Sequence, residues 1–141
     1  MIKYRSSDRT IAAGTHGRGI WSAIIPAGCT SSSITTQPVN STVCATNTAT
    51  FNITAAGTGF QWQQSINGGT SFTNISNGGI YSGATSTTLT VTGITASMNG
   101  YLYRNIVTGN CAPLTTTSNN AILTVNAATT VTSQPARYCL P

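Results

Sequence analysis

The sequence predicts an all-β protein: an antiparallel β-sandwich of about seven strands. Three observations predict it. From residue 34 to 126, apolar side chains alternate with Thr, Gln and Asn, the period of strands with one face buried. Turn signals rich in Gly and Asn recur about every ten residues, the spacing of short antiparallel strands. No stretch places apolar residues at helical spacing.

Each strand has its own signal. Residues 34–38 form the first. Ala49, Phe51 and Ile53 alternate with Thr50, Asn52 and Thr54 in the second. After Gly57-Thr58-Gly59, Phe60, Trp62 and Gln64 share one face of the third. Asn67-Gly68-Gly69 is a hairpin signal, because Asn and Gly tolerate positive φ. It leads into a strand at 71–75. Asn77-Gly78-Gly79 turns the chain again, and Leu89 and Val91 alternate with Thr in the next strand. Asn99-Gly100 precedes a strand from Tyr101 to Thr108, and Ala121, Leu123 and Val125 mark the last. Thr suits the exposed positions because its branched Cβ favours extended backbone.

The chain also repeats itself. Ile34-Thr35-Thr36-Gln37-Pro38 returns as Val131-Thr132-Ser133-Gln134-Pro135, 97 residues on, each copy followed by a cysteine, Cys44 and Cys139. Fixed-period similarity marks a tandem array. The expected organisation is a β-hairpin region at 1–27, a linker at 28–33, a complete domain at 34–126, and the truncated start of a second repeat at 127–141. The linker rests on the small, polar run Pro26 to Ser33. The hairpin rests on Thr10–Gly14 and Ile20–Ile24 flanking a Gly-bearing turn.

Composition removes whole classes of function. The chain is 5% charged, and from Cys29 to Asn126 the only charged side chain is Arg104. A usual domain is about a quarter charged. The net charge of +5 comes mostly from Lys3, Arg5, Arg9 and Arg18, a short cluster that does not resemble the long basic stripe with interleaved aromatics of a nucleic-acid-binding surface. The single acid, Asp8, leaves no carboxylate pair for sugar hydrolysis and no oxygen cluster for calcium. His16 and Asp8 lie outside the domain, so no Ser-His-Asp arrangement is built within it. Four cysteines without a Cys-x-x-Cys pair favour disulfides in an oxidising compartment over zinc. The expectation is no enzyme, no cofactor, no metal and no membrane insertion, because Ile20–Ile25 is too short to cross a bilayer.

Trp62, the pair Leu89 and Val91, and Gly100-x-x-Tyr103 resemble the landmarks of an immunoglobulin-like domain. The resemblance implies that all four of Trp62, Leu89, Val91 and Tyr103 are core, with the Tyr103 hydroxyl bonded to nearby backbone. More closely, Gln37-Pro38, Val43-Cys44-Ala45, Trp62-Gln63-Gln64-Ser65, Asn67-Gly68-Gly69, Gly79 to Ala84, Met98-Asn99-Gly100, Tyr103-Arg104 and Ser118 to Ala121 resemble the tandem immunoglobulin-like repeats of large secreted bacterial surface proteins. Such repeats commonly carry Cys after Tyr-Arg; here it is Asn105. A buried Asn needs partners for both amide and carbonyl. In place of the usual bridge a Cys44–Cys111 disulfide is expected, both residues lying at one end of a sandwich. The alternatives are Cys111 with Cys29, or free thiols. Residues 9–25, with Gly14-Thr15-His16-Gly17-Arg18-Gly19, are similar to the closing strands of a sortilin or xyloglucanase-type β-propeller blade.

These resemblances imply a structural or interaction module, a spacer, adhesion or filament-forming unit, of an extracellular or cell-surface protein. Its partners would be neighbouring immunoglobulin-like domains or copies of itself, not nucleic acid. The alternative is a carbohydrate-binding accessory module of a propeller-type glycoside hydrolase, with polysaccharide as partner. Phe72 and Tyr81, near Gly-rich turns, are its candidate ligand-facing aromatics, against the alternative that they pack their own loops.

Overall fold

The structure, a computed structural model, describes the strand backbones 2–5, 10–14 and 20–24, and residues 28–126 throughout. The strands in chain order are β1 (Ile2–Arg5), β2 (Thr10–Gly14), β3 (Ile20–Ile24), β4 (Ser33–Thr36), β5 (Ser41–Cys44), β6 (Ala49–Asn52), β7 (Thr54–Ala56), β8 (Gly59–Ser65), β9 (Thr73–Asn74), β10 (Tyr81–Ser82), β11 (Thr88–Val91), β12 (Leu102–Thr108), β13 (Thr115–Thr117) and β14 (Ala121–Asn126). A single 3₁₀ turn, Ala96–Met98, is the one helical element among the described residues.

Two layers face each other across the core. One has the order β10-β11-β6, and β7 continues the run of β6 to pair with β4. The short interruption at Ile53 leaves no orphan donor, since its N–H bonds the Thr87 carbonyl at 3.0 Å. The other layer has the order β5-β14-β12-β8-β9. Its spine is β12 paired with β8 from Leu102↔Ser65 to Thr108↔Gly59. The last strand is split: β13 pairs the far half of β12 and β14 the near half. Ser118 fills the break, its N–H bonding the Asn105 carbonyl at 2.9 Å and its Oγ accepting from the Asn105 N–H at 2.8 Å.

The alternation in the sequence sets the core. Phe51, Trp62, Leu89, Val91, Tyr103, Val107 and Leu123 are fully buried. The Phe51 ring lies 4.7 Å from Tyr103 and 6.5 Å from Trp62, within the range of favourable tilted aromatic pairs. Sequence reasoning located the long strands but not β5, β10 or β13. β5 is a parallel partner of β14, a tertiary pairing that alternation does not encode.

Three expectations are corrected. The N-terminal hairpin has a third strand, because β1 pairs β2 antiparallel over Ile2↔Ala13 to Arg5↔Thr10, while β2 pairs β3. Residues 29–32 are no free linker. Cys29 is bonded to Cys111, Ser32 is buried and donates its N–H to the Pro113 carbonyl at 3.0 Å, and the Thr30 carbonyl accepts from the N–H groups of Asn110 and Cys111. The Cys44–Cys111 pairing gives way to Cys29–Cys111, with Cα atoms 5.5 Å apart. The reason is topological: Cys44 ends β5 opposite Asn126, while Cys111 sits in the loop after β12, at the other end of the sandwich. Cys44 is itself disulfide-bonded. The second repeat at 127–141, with Cys139, and the turn at 15–19 with His16 and Arg18 lie outside the described residues.

Candidate interaction face

Alternate residues of β12 look in opposite directions. Tyr103, Asn105 and Val107 are buried; Leu102, Arg104 and Ile106 are half-buried on the outer face. The inner side is a packed hydrogen-bonded core. The Trp62 indole N–H donates to the Ser86 carbonyl at 2.9 Å. Asn105 donates its amide N–H to the same carbonyl at 3.2 Å. That contact fixes the amide orientation, because a carbonyl only accepts. The Asn105 Oδ1, buried with it, has no hydrogen-bond partner among the described residues. Half of the requirement foreseen for a buried Asn is met, and half is not. An unsatisfied buried acceptor costs about 1–3 kcal/mol.

Gly83 makes the Ser86 turn feasible. Its φ is +77°, and a Cβ there would run into the Thr88 carbonyl oxygen. The turn also bonds itself through Ser86 Oγ, which donates within reach of the Gly83 and Thr88 carbonyls at 3.0 and 2.7 Å.

Tyr103 is buried as the resemblance implies, but its hydroxyl meets the Tyr81 hydroxyl at 3.5 Å rather than backbone. Tyr81 in turn donates to Gln64 Oε1 at 2.6 Å. Burial disfavours the phenolate and pushes Tyr81 above its ordinary pKa. The same cause, joined by the Tyr81 contact, pushes Tyr103 far above its own. Tyr81 thus packs against the core rather than standing open to a ligand.

Outside, cross-strand pairing sets three rows: Ser65, Leu102 and Ile122; then Asn74, Gln63 and Arg104; then Gln61, Ile106 and Thr117. The middle row is a chain of contacts. Asn74 Oδ1 accepts from Gln63 Nε2 at 2.8 Å, and Gln63 Oε1 accepts from Arg104 Nε at 2.9 Å. The guanidinium then lies over the Phe72 ring, 3.7 Å from its centroid. The loop after β8 delivers Phe72: Asn67 Oδ1 accepts from the Ser71 N–H at 3.0 Å, and Ser65 Oγ accepts from the Gly69 N–H at 2.9 Å. Phe72 therefore has one face covered by Arg104. Sequence reasoning singled out Phe72 but not Arg104, Gln63 or Asn74. The available signal was Arg104 itself, the lone charge in a neutral domain.

Among the described residues no group of three His, Cys, Asp or Glu could hold a metal ion, and no helix is long and apolar enough to cross a membrane.

Two facing, mostly antiparallel layers, with an indole and a tyrosine in the core between them, define an immunoglobulin-like domain. Solved structures of that class are similar over most of the chain. The tandem Ig repeats of Dlar match with a TM-score of 0.53 at 19% identity, covering 84% of this chain and 61% of that one. Titin domain M7 matches with 0.53 at 21% identity, covering 72% and 99%. Duf (Kirre) D1 matches with 0.54 at 14% identity, covering 68% and 97%. No curated protein matches the chain. Residues 33–127 match the family described as a domain of unknown function (DUF8696), and the chain belongs to that family.

Proposed function

We propose that this chain is a structural and interaction module of a secreted or cell-surface multidomain bacterial protein, where domains like it are joined in series. The observation that carries this reading is where the chain joins and leaves the sandwich. It joins beside the loop after β12, through Cys29–Cys111 and the Ser32 to Pro113 bond. It leaves at the opposite end, where β14 runs past Leu102 to Asn126, beside Cys44. Units joined this way string end to end. The repeated motif begins at Val131, with only residues 127–130 between it and Asn126. The neutral Thr- and Ser-rich surface adds insensitivity to salt.

In this reading residues 34–126 are the immunoglobulin-like unit, 127–141 open a second, and 1–27 belong to a preceding propeller. Adhesion or filament formation would follow from repetition. The carbohydrate-binding alternative requires an open aromatic platform. The placements of Phe72 under Arg104 and Tyr81 against the core do not favour it.

Small-angle scattering tests the series arrangement. The chain would be compared with versions carrying one and two further copies of residues 28–130. The maximum dimension is expected to grow in proportion to the number of units. Units that fold back into a compact particle would overturn it.

A further inference from the structure

We propose that the outer face of the β5-β14-β12-β8-β9 sheet docks a partner protein through an Asp or Glu carboxylate seated on Arg104. This rests on the reading of the domain as an interaction module and names the chemistry of its partner.

The guanidinium is held in place before any ligand arrives. Gln63 fixes Nε, Asn74 fixes Gln63, and the Phe72 ring lies beneath the plane. Nε–H is the only guanidinium donor with a hydrogen-bond partner among the described residues, so the Nη groups keep theirs. A planar fork with free donors matches a carboxylate in bidentate geometry. Holding it rigid beforehand lowers the entropy lost on binding.

The carboxylate must come from elsewhere. Residues 29–126 contain no Asp or Glu, so one such domain cannot satisfy the arginine of another. Ile122 and Leu102 form the row on one side of Arg104, and Ile106 stands in the row on the other. Ile122 is 41% exposed. Apolar side chains around an arginine and an aromatic ring, without lysine or acid, is the composition of the centre of a protein interface. A uronate sugar would supply the same anion, but it would need a ring face for stacking, and that of Phe72 beside Arg104 is taken.

Panning a random-peptide phage library against the full chain tests this. Enriched sequences are expected to carry Asp or Glu beside apolar residues. A synthetic peptide of the enriched sequence should lose on the order of tenfold to a hundredfold in affinity to the R104Q chain. R104K should lose nearly as much, since an ammonium has no planar fork. F72A should bind more weakly than wild type while keeping the charge. Near-UV circular dichroism establishes that each variant keeps its fold. The proposal is overturned by no enrichment, by enriched peptides without an acid, or by affinity unchanged in R104Q. It is also overturned by binding of polygalacturonate in place of peptide, or by self-association that disappears in D8N. The scattering of units in series does not depend on Arg104, so either reading can fail without the other.

Discussion

Tyr103 and Arg104 are neighbours in the chain and belong to opposite environments. The inner face of β12 is buried against the aromatic core, with one unmet acceptor among the described residues, Asn105 Oδ1. The outer face carries the only charge of the domain, with donors left over. The difference teaches where each kind of residue acts. Inside, shape and burial decide stability, since about 25 cal/mol is gained per Å² of apolar surface removed from water. Outside, a tethered arginine contributes little to the fold, because exposed polar contacts are worth about 1 kcal/mol or less. It remains available for recognition.

The sharpest way to break this contrast is on the inner side. W62A should destabilise by about 5 kcal/mol, from the cavity left and the weakened pairing of the Ser86 carbonyl. The outer Q63A should cost under about 1 kcal/mol. Urea unfolding of both variants measures the gap, and equal losses would erase the distinction.

The next largest effect concerns the pinned end. Cys29 and Cys111 are 82 residues apart, and replacing both with Ser should cost about 4.5 kcal/mol by loop-closure entropy. Chemical denaturation measures the loss, and non-reducing peptide mapping should recover Cys29 linked to Cys111.

A smaller effect should appear in alkali. Tyr81 and Tyr103 have folded pKa values raised above the ordinary tyrosine value of 10.0. Their contribution to stability is therefore complete below that value, and it is lost as pH rises, because the unfolded chain ionises first. The urea midpoint should fall above pH 10, and Y103F should flatten that fall.

The smallest effect is expected at Asn105. N105V removes one bond of 3.2 Å together with the unmet Oδ1. The two changes oppose each other, so stability should stay within about 1 kcal/mol of wild type. A thermal melt checks it.

Much of the inner face was legible in the sequence. Phe51, Trp62, Leu89, Val91 and Leu123 declare themselves by period-2 alternation, a local property of the chain. The outer face was hardly legible. The Phe72–Arg104–Gln63–Asn74 cluster joins residues from β8, β9, β12 and the loop before β9, and no local pattern announces that they meet. The Asn105 departure was visible as a missing cysteine, but its half-satisfied amide depends on where the Ser86 turn falls.

By itself, the sequence determined the all-β class, the longer strand-bearing stretches and the nearly uncharged composition, because each follows from the composition or period of contiguous residues. The tertiary structure decided which cysteine meets Cys111, where the chain joins the sandwich, and what covers Phe72. Those outcomes depend on how strands distant in sequence are ordered and staggered, and that order is fixed by burying one shared core.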